Sequence, residues 1–167
     1  MIDPYWLYKD GKIPIEVLQY DQYYCKPEVA KELISLLDLK EYYHIIEPCA
    51  GGGAFSLQIP GCEAYDIDPK HESIIKRDFW ELYFEYDPTT TLIIGGPPYG
   101  RDHETAIKFF IKCSYFANTI AFILPSSFKN PTDFELILEK KLRKDIFTAG
   151  GYPFAHPSSF QIYKKTL

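Results

Sequence analysis

At 167 residues, with 46% hydrophobic and 25% charged side chains, the chain has the size and apolar content of one globular domain with a single core, and its composition excludes disorder. A net charge of -5 argues mildly against a nucleic-acid binder, although residues 101–167 hold 10 Lys/Arg against 6 Asp/Glu while residues 1–100 hold 8 against 17, so a basic face is permitted in the second part. No apolar run has the length of a membrane span, and the N-terminal MIDPYWLYKDGK lacks a basic-then-apolar signal pattern.

Residues 1–20 are aromatic and irregular and are expected to pack as an extension across the domain. From Lys26 to Leu37, Val29, Ala30, Leu33, Ile34, Leu36 and Leu37 recur at helical spacing, and Pro27 suits a first helical turn. His44-Ile45-Ile46 reads as a buried strand ending in Glu47-Pro48 and a glycine cluster. Cys62 to Asp66 reads as a second strand with an acidic tip, and Thr91 to Ile94 as a third, broken by Gly95-Gly96-Pro97-Pro98. A helix is expected over Ala106 to Phe116, a strand over Thr119 to Leu124, a second helix over Phe134 to Leu142 and a last strand over Phe160 to Tyr163. Lys140, Lys141, Arg143 and Lys144 would then form a solvated helix surface. Strands alternating with helices imply a mostly parallel sheet covered on both faces, one domain over residues 1–167. Each Gly/Pro cluster follows a strand, so the loops fall on one rim, where such sheets bind ligands. Cys25, Cys49, Cys62 and Cys113 form neither a CxxC pair nor a metal-ligand spacing. They are expected to be reduced thiols in a cytoplasmic protein with no metal.

The loop Glu47-Pro48-Cys49-Ala50-Gly51-Gly52-Gly53 lets a backbone approach a ligand closely. It is neither a P-loop nor GxGxxG, and alone it is also what a plain turn looks like. Asp66, 19 residues after Glu47, ends the next strand, where a carboxylate can accept hydrogen bonds from both hydroxyls of a ribose. Asp78-Phe79 sets a short acid beside an aromatic, fit to meet an adenine amino group and ring; an ordinary turn acid is the competing account of Asp78.

These residues resemble a known family. Glu47 to Phe55, Tyr65-Asp66-Ile67-Asp68-Pro69, Arg77-Asp78-Phe79 and Gly96-Pro97-Pro98-Tyr99 are similar, in order, to the first four motifs of S-adenosylmethionine-dependent methyltransferases of the Rossmann-like type. Within that family they resemble the group that methylates the N6 amino group of adenine in DNA or RNA. Gln22 to Ala30 resembles that group's N-terminal motif, and Phe122 to Phe128 and Phe160 to Tyr163 its fifth and last strands, so the resemblance covers about residues 21–165. It implies a seven-stranded sheet with the last strand antiparallel. It further implies that Tyr23, Tyr24, Lys26 and Pro27 flank the methionine end of the cofactor, that Glu47, Pro48, Ala50, Gly51, Gly53 and Gly95 hold that end, that Asp66 takes the ribose, and that Ile67, Asp78 and Phe79 surround the adenine.

The resemblance assigns the reaction centre to Gly96, Pro97, Pro98 and Tyr99. The amino nitrogen of adenine is a poor nucleophile because its lone pair is delocalised. In the family a side-chain oxygen of Asp, Asn or Ser and the first proline's carbonyl accept its two hydrogens, and the aromatic stacks on a flipped base. Here Gly96 replaces that polar residue. Three readings follow: an N6-adenine methyltransferase, a non-catalytic S-adenosylmethionine-binding module that supports a partner subunit, and a methyltransferase of a protein glutamine amide. Asp102 or His103 is a candidate for the missing group, against a plain loop role. No separate target-recognition domain is expected, which leaves Gly150 to Ser159 as the loop able to approach a base, with His156 more apt to be structural.

Overall fold

The computed structural model describes residues 24–143, 147–149, 152–154 and 157–166. The N-terminal extension, Tyr23, Lys144 and His156 lie outside them, as does much of the Gly150–Ser159 loop. In chain order the elements are β1 (Tyr24–Cys25), α1 (Pro27–Ile34), β2 (His44–Glu47), β3 (Glu63–Asp66), β4 (Ile75–Lys76), β5 (Thr91–Gly95), α2 (Glu104–Cys113), β6 (Thr119–Pro125), β7 (Phe134–Lys141), β8 (Phe147–Ala149), β9 (Tyr152–Phe154) and β10 (Ser158–Lys165). Seven strands form one sheet in the order β4-β3-β2-β5-β6-β10-β7, and β1, β8 and β9 form a small second sheet. β4 through β6 are mutually parallel. β10, the last strand, runs antiparallel between β6 and β7. This is the mostly parallel α/β sheet expected from the alternation of apolar strands and Gly/Pro breaks, with the seven strands and antiparallel last strand of the Rossmann-like fold that the resemblance implies.

Strand alternation divides the core between the two faces. Leu92, Ile94, Ala121 and Ile123 point to the face covered by Ala30 and Leu33 of α1, with Phe55, Phe160 and Ile162. Ile93, Ile120, Phe122 and Leu124 point to the other face, under Ala106, Phe109, Phe110 and Cys113 of α2. β5 and β6 are buried along their whole length, as central parallel strands must be when both faces are covered. Pro27 sits in the first turn of α1. The helix ends three residues sooner than its apolar spacing suggests.

One expectation is overturned. Residues Phe134–Lys141 form a β-strand, not a helix, and Lys140 and Lys141 stand on the sheet's edge rather than on a helix surface. The reason is a β-bulge. Ile162 pairs with Leu138 but Tyr163 pairs with Leu136, so Ile137 is an extra residue and the strand changes phase there. Phe134 consequently packs on the α2 face while Leu138 and Leu142 pack on the α1 face. Apolar residues at 134, 138 and 142 then imitate a helical repeat. The same bulge, with Glu135, Glu139, Lys140 and Lys141, blunts an edge that would otherwise invite pairing.

Only residues 126–133 join the parallel strands β6 and β7, where a crossover of a dozen or more residues is usual. β6 ends beside Ser158 and β7 begins beside Lys165, a return of about 23 Å along β10. A connection this short must run nearly straight across the α2 face. Phe128 anchors it by packing its ring on Phe110 and Tyr163. Asn130 then turns the chain by accepting from Thr132 N at 2.8 Å and donating to Phe134 O at 2.6 Å. Among the described residues no helix is long and apolar enough to cross a membrane.

Candidate functional site

The carboxyl ends of β2, β3, β4 and β5 meet along one rim. Glu47, the last residue of β2, is buried and accepts a hydrogen bond from Ser56 N at 2.8 Å. Burial pushes its carboxyl up to about 8, the Ser56 amide pulls against this, and the negative Asp66 adds to it. Gly95, the last residue of β5, lies against it. A Cβ at Gly95 would stand 3.1 Å from Glu47 Cγ, and its φ of +139° is a backbone state that side chains rarely adopt. Glycine at 95 is therefore what lets β5 pass close to the buried acid.

The loop after β2 is held by its own backbone and by β3. Gly53 N donates to Ala50 O at 2.7 Å, and Ala50 N to Tyr65 O at 2.8 Å. Gly51 and Gly53 take φ of +55° and +85°. Asp66 anchors the loop: its Oδ2 accepts from Gly51 N at 2.8 Å and its Oδ1 from Asp68 N at 2.8 Å. A carboxylate has about four acceptor sites, so two remain for a ligand's hydroxyls. Pro48 makes the turn out of β2. Ser56 Oγ, beside Gly53, is buried against the Glu47 carboxyl, and both the Ser56 amide and its hydroxyl favour the ionised acid.

The N-terminal motif is tied to this loop by a residue that carried no signal in the sequence. Gln58 Nε2 donates to Pro27 O at 2.9 Å and to Ala54 O at 2.6 Å. That brings the start of α1, with Lys26 and Pro27, onto the turn that follows the glycines. Tyr24 is in β1, paired with Thr148.

Arg77 N donates to Asp66 O at 2.9 Å, which sets Asp78 beside the tip of β3. Asp78 caps a 3-10 turn over Phe79–Glu81 by accepting from Trp80 N at 3.0 Å. Ile67 is partly exposed, at 42%. Phe79 is buried, stacked on Phe109 with ring centroids 3.8 Å apart. The Lys112 ammonium lies 4.6 Å from its centroid, and desolvation lowers that ammonium's pKa. The ring of Phe79 is thus built into the core beneath α2.

Gly96 differs from Gly95. Its φ is not positive, and a Cβ there would meet only Ile123 Cβ, at 3.9 Å. Pro97 is buried. Tyr99 is fixed at both ends: its carbonyl accepts from Ala106 N at 3.2 Å, and its hydroxyl lies 3.0 Å from Ser158 Oγ. Burial drives the phenol well above its ordinary pKa. Gly100, at φ +71°, lies so close to Thr105 that a Cβ would overlap its Oγ1. Asp102 and His103 follow with φ of +51° and +62°, two consecutive left-handed residues that are not glycine, a costly state. His103 stands edge-on to Tyr99 with centroids 6.3 Å apart, whereas Asp102 is exposed. Burial raises the thiols of Cys25 and Cys62 to about 12 and those of Cys49 and Cys113 as well, which disqualifies all four as nucleophiles at neutral pH.

Strand order, the antiparallel last strand and a glycine loop facing an acidic strand tip define the methyltransferase variant of the Rossmann-like fold. No protein-family model and no curated protein sequence matches the chain. Solved structures do. A Pyrococcus horikoshii protein provisionally assigned as an RNA methyltransferase superposes with a TM-score of 0.63 at 14% identity, over 89% of this chain and 88% of that one. An Escherichia coli protein provisionally assigned as a methyltransferase gives 0.56 at 16%, over 83% and 84%. A Haemophilus influenzae protein provisionally assigned as a methylase gives 0.50 at 15%, over 84% and 99%. At such identities the likeness is one of fold.

Proposed function

We propose that the chain is an S-adenosylmethionine-dependent methyltransferase acting on the exocyclic amino group of adenine in DNA or RNA. The observation that carries this is the convergence on one rim of the glycine loop, the Asp66 tip and the Pro97-Pro98-Tyr99 segment, with β5 brought against Glu47 by Gly95. The residues fit the cofactor. The glycines at 51, 53 and 95 leave backbone uncovered, Asp66 keeps two acceptor sites, and exposed Ile67 offers an apolar surface to a purine. The Asp66 carboxylate matches a ligand that is cationic at its sulfonium and ammonium, and such a cation would favour ionisation of the Glu47 carboxyl, whose proton burial otherwise retains. The cofactor supplies an electrophilic methyl group.

The rest is positioning by the protein. Asp66 orients the ribose and, through Gly51 N, keeps the loop in shape. Pro97 fixes the backbone whose carbonyl accepts one hydrogen of the target amino group. Tyr99, held at both ends, offers a ring face to an unstacked base. The second hydrogen has no side-chain acceptor at position 96.

A second reading, a binding module that supports a catalytic or target-recognising partner subunit, is favoured by that one observation. Gly96 itself decides between the two. Its unstrained backbone and open surroundings accommodate Asn. In transfer of tritium from labelled S-adenosylmethionine to pooled DNA and RNA, Gly96→Asn is expected to raise the rate on adenine by on the order of 100–1000-fold, the size of one positioned polar contact in an active site. Cofactor binding with no transfer by either protein, on any DNA or RNA, selects the binding module. No cofactor binding removes both readings.

A further inference from the structure

Ser158 opens β10 and lies 59 residues from Tyr99, near the end of the Gly150–Ser159 segment and outside the methyltransferase-like motifs. It is 3% exposed, and its Oγ stands 3.0 Å from the Tyr99 hydroxyl. Its own position is rigid. It pairs with Pro125 at the end of β6, and Ser126 N donates to the preceding Pro157 O at 3.0 Å. The backbone of Tyr99 is equally constrained, by Ala106 N on its carbonyl and by the packing of Gly100 on Thr105. With the backbone fixed, the remaining freedom is the side chain's two torsions. A hydrogen bond at the far end of a tyrosine restricts both.

We propose that Ser158 is a positioning residue for Tyr99: its buried hydroxyl fixes the plane of the ring on which the target base stacks. The part that concerns the base rests on the methyltransferase reading; the part that concerns the ring does not. The contact joins the rim loop of β5 to the start of the antiparallel strand, two segments that the sheet order separates by β6. An anchor at the ring's tip sets its plane without itself lying over a face, whereas an anchor over a face would block stacking there.

The test uses the full chain and two readouts. In the first, 13C-tyrosine spectra of the ligand-free protein are compared, with the Tyr99 signal assigned by its loss in Tyr99→Phe. Ser158→Ala should shift or broaden the Tyr99 ring signals while the other tyrosines stay in place, and Ser158→Thr should restore them. In the second, steady-state transfer to an adenine oligonucleotide is measured in the more active of the wild-type and Gly96→Asn backgrounds. Ser158→Ala should lower kcat/KM for the oligonucleotide roughly five- to ten-fold, the worth of one neutral hydrogen bond. The KM for S-adenosylmethionine should stay within about two-fold, and Ser158→Thr should recover most of the loss. Tyr99→Phe should cost as much, and the double variant no more than either. Unchanged Tyr99 signals in Ser158→Ala overturn the proposal outright. Shifted signals with no effect on the oligonucleotide confine Ser158 to packing and overturn its role in base stacking. Transfer absent in both backgrounds refutes the enzyme reading and the stacking role with it, while the spectra still decide whether Ser158 holds the ring.

Discussion

Glu47 offers a test of the site that needs no ligand. Its carboxyl goes from 4.5 in an unstructured chain to about 8 in the fold, chiefly through burial. Between those values the folded protein keeps a proton that the unfolded chain has released. Stability therefore falls as pH rises, with a slope approaching about -1.4 kcal/mol per unit for this one group. The contribution is fully present below 4.5 and lost as pH climbs through 8. The interval corresponds to several kcal/mol at about 1.4 kcal/mol per unit, a large share of the roughly 5–15 kcal/mol typical of a whole domain. Glu47→Gln keeps an oxygen to accept from Ser56 N but cannot ionise. Urea unfolding of both proteins from about pH 4.5 to 9 isolates the effect, because every other titrating group cancels in the difference. The stability of the wild type minus that of Glu47→Gln should decline by several kcal/mol between about pH 5 and 8 and be level above. A flat difference, or one that rises with pH, would mean that Glu47 is ionised in the fold and that the space between β2 and β5 is wet.

The remaining predictions concern the ligand and the last strand. Calorimetry should show S-adenosylmethionine binding in the micromolar range, and Asp66→Ala should weaken it by about 1.5–3 kcal/mol for lost charge-assisted hydrogen bonds; unchanged affinity would remove Asp66 from the site. Gln161 is buried on β10, accepts from Tyr163 Oη at 2.6 Å and donates to Ser159 Oγ at 2.8 Å. Gln161→Leu should cost about 2–3 kcal/mol in urea unfolding by leaving a phenol buried without its acceptor, and a loss under about 0.5 kcal/mol would show that the network adds nothing.

The strands of the parallel half were legible because two signals coincided on most of them: an apolar run, and a Gly/Pro or acidic stop. β2, β5 and β6 carry both and β3 the acidic stop, and these stops mark the rim where the candidate site lies. β7 carried neither cleanly. Its bulge at Ile137 sends Phe134 and Leu138 to opposite faces, so the repeat that remained was of the wrong period. Ile75–Lys76 is too short for any periodic signal. Side-chain direction was a further limit. Asp78-Phe79 identifies a turn near the tip of β3, but only packing shows that the Phe79 ring is stacked on Phe109. Lone polar residues were invisible for a related reason. Gln58 and Ser158 act through side-chain contacts 31 and 59 residues away, and such contacts leave no local pattern.

The adjacent glycines at 95 and 96 show how structure separates two residues that sequence makes look alike. Position 95 requires glycine twice over, by a φ of +139° and by Glu47 3.1 Å from where a Cβ would be. Position 96 requires it on neither ground. The missing acceptor beside Pro97 is therefore not imposed by the packing of β5, and a polar side chain can be returned to it without rebuilding the rim. If the backbone there is as unconstrained as its surroundings indicate, Gly96→Asn should leave urea stability unchanged or raise it by up to about 1 kcal/mol through a less flexible unfolded chain. A loss above about 2 kcal/mol would show that a constraint at 96 excludes side chains, and would then explain the glycine without reference to catalysis.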